Sequence, residues 1–256
     1  MFKNNNDIIP VAIILLISLV DFTLYFVIDS VAILALYWLI MIVPKGKICA
    51  WNHNHQHTMT FKSKGMNRIL EFFYALHTGV TTNLWVLHHV LGHHKNYLNQ
   101  DLDESRWKRK DGTKMGEWEY TFNVFITAYY RGYQVGKKHP KPQAMFIKYG
   151  LITFSIVLAL ALYNPVAALF LFVLPMISGL LLTCWATYEH HAGIDTDDHF
   201  EASYNNLNPI YNFFTGNLGY HTAHHYSQGT HWSNLPALHE TIKDKIPENL
   251  YRHNAL

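Results

Sequence analysis

The sequence is poor in charge, and over long distances it has no basic residue at all. Asp, Glu, Lys and Arg together make up only 15% of the 256 residues, whereas 50% of the residues are hydrophobic. A soluble protein of this size is rarely so poor in charge. Lys and Arg are absent from residues 4–44 and from residues 149–242. This uneven distribution indicates a membrane topology, and the length fits a single domain covering residues 1–256.

Cysteine is also scarce, which excludes a disulfide framework. The two cysteines, Cys49 and Cys184, lie in or beside apolar segments, where we expect them to pack as small hydrophobic side chains. A reducing cytosolic environment fits this composition. The first apolar segment is too long for the core of a signal peptide and lacks a suitable cleavage site, so we expect a retained membrane anchor.

Four apolar segments can account for a membrane-spanning protein. The first segment, residues 8–28, would span about 31 Å as a helix, which is the thickness of a hydrocarbon core. Pro44 interrupts the second, which must therefore either continue with a kink or stop near the interface. We predict an all-α integral membrane protein with four transmembrane helices in two hairpins. The helices are expected at about residues 8–28, 31–50, 146–163 and 165–187.

The basic residues predict the orientation of this arrangement. Neither hairpin tip carries Lys or Arg, whereas the segments on the other side carry many, including Lys45 and residues 106–110. By the positive-inside rule, both termini and any site formed between the hairpins should be cytosolic. Residues 66–87 and 117–135 are apolar and aromatic with interspersed polar residues, which is typical of interfacial helices.

Histidine is the residue in excess: the chain has 18, and most lie in four clusters that follow the apolar segments. In the first cluster His53 and His57 are four residues apart and would share one helix face. His89 and His93 repeat this spacing in the second cluster. The third cluster, His190 and His191, supplies one solitary ligand. The fourth cluster has ligands at positions i, i+3 and i+4, namely His221, His224 and His225. The candidate ligands are His53, His57, His89, His93, His94, His191 (or His190), His221, His224 and His225.

Nine imidazole nitrogens are enough for two metal ions and too many for a single tetrahedral zinc. Imidazole suits iron, zinc and copper, so the residue type alone does not choose the metal. A single His-x-x-x-His pair is more often structural than metal-binding, but four clusters predicted to meet at one membrane face indicate a metal site. The isolated histidines are expected to be surface or hydrogen-bonded residues: His77, His139, His199, His239 and His253.

The order of the clusters resembles the histidine boxes of membrane fatty acid desaturases and of the related membrane alkane hydroxylases. The resemblance covers nearly the whole chain and is closest in residues 219–225 (GYHTAHH) and 231–236 (HWSNLP). In this family an Asn often stands four residues before the solitary ligand, a position that Thr187 occupies here. The spacing to Asp195 favours His191 as that ligand, whereas the pair Glu189 and His190 resembles the alkane hydroxylases.

The resemblance implies two iron ions (Fe2+/Fe3+), dioxygen as co-substrate and the desaturation of a fatty acyl chain. A hydroxylase or an acetylenase using the same di-iron site is the alternative chemistry. The acyl group would be carried by coenzyme A, acyl carrier protein or a lipid, and would need an apolar tunnel to the metals. Electrons should come from a separate donor such as ferredoxin or cytochrome b5, and no nucleic acid is expected as a partner.

Two further points of the sequence leave alternatives open. Residues 101–107 and the basic residues 108–110 either bind the carrier of the acyl group or form a solvated loop. The rival from another class is a zinc-dependent membrane hydrolase or a metal transporter. A transporter would place its ligands midway through the crossings, but residues 8–43 and 146–188 contain no histidine.

Overall fold

The computed structural model describes residues 1–253, and nearly all of their regular structure is helical, as predicted. The helices are α1 (Ile8–Val27), α2 (Val31–His57), α3 (Lys64–Thr78), a π-helix (Val86–His93), α4 (Glu117–Gly136), α5 (Pro140–Tyr163), α6 (Pro165–Ala168), a π-helical turn (Leu169–Val173), α7 (Leu174–His191), α8 (Pro209–Thr215), α9 (His221–Tyr226) and α10 (Leu235–Ile242). Short 3-10 turns lie at Asn5–Asp7, Trp232–Asn234, Lys243–Lys245 and Glu248–Leu250. Two short strands, β1 (Asn205–Asn206) and β2 (Tyr251–Arg252), pair in parallel.

Within residues 1–253, four stretches of helix are long and apolar enough to span a membrane. They follow one another in two pairs, α1 with α2 and α5 with the continuous helix formed by α6 and α7. Their outward faces carry exposed apolar side chains such as Leu16, Leu39 and Leu162, which a lipid environment would cover. The predicted architecture of four membrane helices in two hairpins is confirmed. The spans are Asn5–Val27, Val31–His57, Pro140–Tyr163 and Pro165–His191.

The spanning helices extend further at their histidine-rich ends than the apolar segments predicted. α2 passes through Pro44 and ends at His57, so the alternative of a continuous helix is the one that the structure adopts. A proline is tolerated there because neighbouring groups in a membrane bundle can satisfy the freed carbonyl. Several polar residues of the last turns are paired inside the protein, as when Asn52 Nδ2 donates to Thr78 Oγ1 at 2.9 Å. They therefore lower the hydropathy without ending the helix.

The connection at residues 66–87 is not one helix but two elements. α3 ends at Thr78 and is capped by Gly79, which has a left-handed φ of 67°. No side chain could replace it, because an added Cβ would lie 2.1 Å from the carbonyl oxygen of Met176 on α7. The chain then forms the π-helix Val86–His93. The other connection, α4, is a single helix whose exposed face is aromatic, with Trp118 and Tyr130 mostly accessible.

The described residues after α7 form a cap on the ends of α2 and α7. α8 packs against α2, where Asn54 Nδ2 donates to Gly216 O at 3.2 Å. α10 packs against α9 around buried Ala223 and Ile242. The cap is also tied to the N-terminus, because Trp232 Nε1 donates to Asp7 at 3.0 Å. All four histidine clusters consequently lie at one end of the helix bundle.

Candidate metal centre

The last turns of α2 present two histidines to the interior of the cap. The ring centroids of His53 and His57 are 4.8 Å apart. The intervening His55 faces away from them, with Nδ1 2.9 Å from Thr60 Oγ1 and Nε2 3.4 Å from Glu71 Oε1. The helix thus divides this cluster as its spacing predicts, with two rings on one face and the third on another.

The second cluster lies on the π-helix, which distributes its rings differently from an α-helix. Hydrogen bonds in a π-helix join residues five apart, and His94 N donates to His89 O at 2.8 Å. The Nε2 atoms of these two residues are also close, at 3.1 Å. The rings of His89 and His93 stack with centroids 5.1 Å apart, but His93 directs its Nε2 to that of His191, at 3.2 Å. One helical turn therefore serves two separate groups.

The end of α7 and the short helix α9 supply the remaining rings. His191 is the last residue of α7, and its Nε2 lies 3.0 Å from Nε2 of His221 and 3.1 Å from Nε2 of His225. His224 faces the other group, with its ring centroid 4.5 Å from that of His57. α9 therefore also divides its histidines between two groups.

Eight of the nine candidate ligands lie in two adjoining groups. One group consists of His53, His57, His89, His94 and His224, and the other of His93, His191 and His225; within each, one nitrogen per residue lies within 4.8 Å of the others. His221 adjoins the second group through its contact with His191. The alternative ligand His190 is in neither group, because its ring stacks on His221 with centroids 3.7 Å apart. This geometry favours His191 over His190.

The nitrogen atoms are spaced as the ligands of metal ions would be. Facing Nε2 atoms are 2.7 Å apart for His53 and His89, and 3.1 Å apart for His191 and His225. Two ligands at right angles, each about 2.1 Å from a metal, would be about 3 Å apart. Both ring nitrogens of His57 are buried and have no hydrogen-bond partner among the described residues. Such unpaired groups are costly, and a metal ion would satisfy one of them. The residues present therefore fit two metal ions.

Burial keeps these imidazoles in the form that binds metals. It holds the pKa of His89, His94 and His224 well below the usual value of 6.5, and the charges of neighbouring rings lower the pKa further. The same causes lower the pKa of His221 and His225. The rings are consequently neutral at neutral pH and have a free lone pair for a metal. A donor set made only of imidazole suits iron, zinc or copper.

A second layer of contacts orients two of the rings. His93 Nδ1 lies 2.8 and 3.0 Å from the two carboxylate oxygens of Asp103, and His191 Nδ1 lies 2.8 Å from the carbonyl oxygen of Ala202. Donation from Nδ1 leaves Nε2 free to face a metal. Asp103 is only 1% exposed, so this part of the charged stretch is not a solvated loop. The role of Asp103 could not be predicted from the sequence, because a single acid ten residues after His93 has no distinctive spacing.

The isolated histidines lie outside both metal-facing groups. Two are buried and have polar neighbours: His77 Nε2 is 2.9 Å from Ser18 Oγ, and His239 Nε2 is 3.4 Å from Tyr251 OH. The others are partly or fully exposed, namely His139, His199 and His253. This agrees with the expectation of surface or hydrogen-bonded residues.

An apolar cavity of about 290 Å³ lies between α2, α7 and α8 and reaches both groups of histidines. His53 and His93 line one end, and Ile42, Val43 and Leu182 line the other. Thr187, which occupies the position of the family's Asn, also lines the cavity, and its Oγ1 donates to the carbonyl oxygen of Cys184 at 2.7 Å. Its mostly apolar lining is of the kind that binds an alkyl chain.

Comparison with known proteins adds a finding that is independent of this geometry. A family model described as "Fatty acid desaturase" matches residues 29–256. Neither the curated proteins nor the solved structures gave a match. The matched region contains all nine candidate ligands and the residues that line the cavity.

Proposed function

The chain belongs to the fatty acid desaturase family, and from that premise we propose that it is an oxygen-dependent fatty acyl desaturase with a di-iron centre. One domain, residues 1–256, would carry the whole activity. The proposed ligands of one iron are His53, His57, His89, His94 and His224, and those of the other are His93, His191, His221 and His225.

The observation that carries this proposal is the position of the two histidine groups at the end of an apolar cavity. A cavity with a mostly apolar lining suits an alkyl chain, and such a chain has no polar group that could activate its C–H bonds. Acid and base side chains cannot break an unactivated C–H bond, so the reaction needs a redox metal. Imidazole groups that adjoin one another can hold two such ions side by side. Iron would supply the activation of dioxygen and the removal of hydrogen from neighbouring methylene carbons.

The protein's own contribution to the reaction is to position the ligands and the substrate and to exclude water. Asp103 and the carbonyl of Ala202 fix the rings of His93 and His191, so that the donor atoms keep their directions. The apolar walls between α2 and α7 hold an acyl chain against the histidine groups and keep water away from it. A methylene group that lies beside both ligand groups is thereby selected from an otherwise uniform chain.

The orientation and the partners are part of the proposal. The basic residues all lie toward the metal-facing end of the helices, which supports a cytosolic location for both termini and for the site. A fatty acyl chain in coenzyme A, acyl carrier protein or lipid-linked form would be the substrate. Electrons would come from a separate carrier such as ferredoxin or cytochrome b5, for which the basic cytosolic surface offers charge complementarity.

A hydroxylase is the second candidate, and a specific observation favours it. Glu189 and His190 form the pair that resembles alkane hydroxylases, and Thr187 replaces the family's Asn beside the cavity. The same ligand set could transfer oxygen to the substrate if the alkyl chain lay differently relative to the metals. An acetylenase would be a further variant of the same chemistry, acting on a chain that is already unsaturated.

Metal content and product mass test the proposal together. The detergent-purified protein should contain close to two irons per chain. Incubation with an acyl substrate, dioxygen and a reductant should give a product lighter by two hydrogen atoms, as measured by mass spectrometry. A product heavier by one oxygen atom would establish the hydroxylase instead. One zinc per chain, with hydrolysis and no oxidation, would refute both candidates.

A further inference from the structure

The apolar cavity reaches the lipid-facing surface of α2. Val43 lines the cavity, yet its side chain is 59% exposed, and Ile42 beside it is 36% exposed. Both residues belong to a helix that is long and apolar enough to span a membrane. An opening bordered by such residues faces the acyl chains of the bilayer rather than the cytosol. A molecule dissolved in the bilayer could therefore reach the histidine groups sideways.

One residue with a fixed charge, Lys47, lines this otherwise mostly apolar cavity in the described part of the chain. It lies on α2 one turn beyond Val43 and six residues before His53, a distance of about 9 Å along the helix axis. Its side chain is partly buried and has no carboxylate partner among the described residues. Its Nζ lies instead 3.2 Å from the ring centroid of Phe213 on α8 and 5.3 Å from that of Trp51.

The two rings, neither of which lines the cavity, hold the ammonium group at one place at the edge of the lining to which Lys47 belongs, and they do not neutralise it. An aromatic face attracts a cation but carries no net charge, so Lys47 keeps its attraction for an anion. The neighbouring Lys45 differs in this respect, because its Nζ is buried and 2.8 Å from the carboxylate of Asp21. Lys47 is therefore the cation at the cavity that is available to a ligand.

We propose that Lys47 binds the carboxylate of a fatty acid that enters from the bilayer between α2 and α7, with its acyl chain directed toward the histidines. This inference rests on the proposed function, and it replaces the carrier-linked forms of the substrate given there with a free fatty acid. A carboxylate carries the single charge that one ammonium group matches. Phosphate groups such as those of coenzyme A are usually held by several donors or by a bidentate Arg, and the cavity lining offers neither.

Binding of a radiolabelled long-chain fatty acid to the metal-loaded protein in nanodiscs of neutral phosphatidylcholine tests this proposal. The methyl ester of the same acid measures the contribution of the chain alone. Lys47→Gln should weaken binding of the acid about tenfold, the loss of roughly one charge-assisted hydrogen bond, and should leave binding of the ester unchanged. Lys47→Arg should restore most of the affinity for the acid. Lys148→Gln is the matched control, since Lys148 also lies near an aromatic ring, that of Tyr149, but does not line the cavity.

A second variant tests the route of the acyl chain independently of charge. Gly46 lines the cavity opposite α7, and a Cβ added there would lie 2.9 Å from Leu182 Cδ2. Gly46→Leu should therefore obstruct the passage and weaken binding of the acid and of the ester alike. Wild-type affinity for both ligands in Gly46→Leu would show that the chain does not pass between α2 and α7.

The outcomes separate this inference from the proposed function. Equal affinity of wild type and Lys47→Gln for the acid would overturn the role of Lys47, even if the protein contains iron and forms product. If a lysophospholipid displaced the radiolabelled acid more strongly than the unlabelled acid does, the proposed role of Lys47 would also be overturned. Lys47 would then bind the phosphate of a lipid headgroup. Lys47-dependent binding of the acid in a protein that holds no iron would support the binding site and refute the di-iron enzyme.

Discussion

The contact between Asp103 and His93 gives a quantitative prediction about the metal centre. Both carboxylate oxygens lie within hydrogen-bonding distance of His93 Nδ1, at 2.8 and 3.0 Å, and the carboxylate is almost completely buried. The negative charge makes the imidazole a stronger donor to a metal and fixes its ring. Asp103→Asn keeps one acceptor oxygen and the size of the side chain but removes this charge.

The loss expected from Asp103→Asn follows from these contacts. Removing a partner of this kind costs about 10- to 100-fold in metal affinity. Asn retains the weaker, neutral hydrogen bond, so we expect the lower end of that range, about tenfold or about 1.4 kcal/mol. Asp103→Leu removes the hydrogen bond as well and should approach about 100-fold. Competition against a chromophoric chelator measures the affinity, and metal analysis measures the iron retained per chain.

The matched control for this prediction is Asp101→Asn in the same loop. Asp101 is exposed, and no contact joins its carboxylate to a histidine within the described residues. It should therefore bind iron as the wild type does. The reasoning would be refuted if Asp103→Asn retained wild-type affinity, or if Asp101→Asn lost as much as Asp103→Asn.

Three further predictions concern the ligands, acid stability and the membrane helices. His225→Ala should lose iron and activity while the protein stays folded, whereas His253→Ala should keep both, as metal analysis and product assays would show. Metal-free protein should lose stability as the pH falls below about 6.5, because the histidines of the unfolded chain are then protonated while the buried histidines of the folded protein stay neutral. Burial, together with the charge of Arg131, lowers the pKa of His88 to about 3. Each group of this kind lowers the free energy of unfolding by about 1.4 kcal/mol for each pH unit below its usual pKa. Thermal unfolding at pH 8 and pH 5 measures this loss, and equal midpoints would contradict it. Lys45→Met should destabilise the protein by about 3–5 kcal/mol, because it leaves the carboxylate of Asp21 buried without its cation; a Lys45→Met, Asp21→Asn double variant should recover part of the loss in a denaturation assay.

The sequence predicted the parts of the site that depend on spacing along one helix. His53 and His57 lie on one face of α2, and His55 lies on another, as the helical period requires. The division of His89 and His93 between two groups could not be predicted in this way. It arises because residues 86–93 form a π-helix, which sequence periodicity alone does not distinguish from an α-helix. The membership of each group is thus a property of the local helix type.

Contacts between distant segments could not be predicted from spacing. Asp103 follows the second cluster in a stretch of charged residues whose sequence looks like that of a solvated loop. Its burial depends on the packing of that loop against His93. The cavity likewise depends on the approach of α2, α7 and α8, which share no sequence signal. The sequence shows which residue types are available, whereas the contacts between them follow from the tertiary structure.

The crossing helices are longer than their hydropathy predicts, and the additional length has a structural role. A helix of 27 residues such as α2 is about 40 Å long, about 10 Å more than a hydrocarbon core requires. The additional turns carry His53 and His57, and α7 likewise continues beyond its apolar part to His191. Polar residues in these turns lower the hydropathy, so the apolar run ends before the helix does. The same rigid helices that are long enough to cross a membrane consequently also hold the facing imidazole rings, which fixes the two histidine groups at one end of the bundle and beside the apolar cavity.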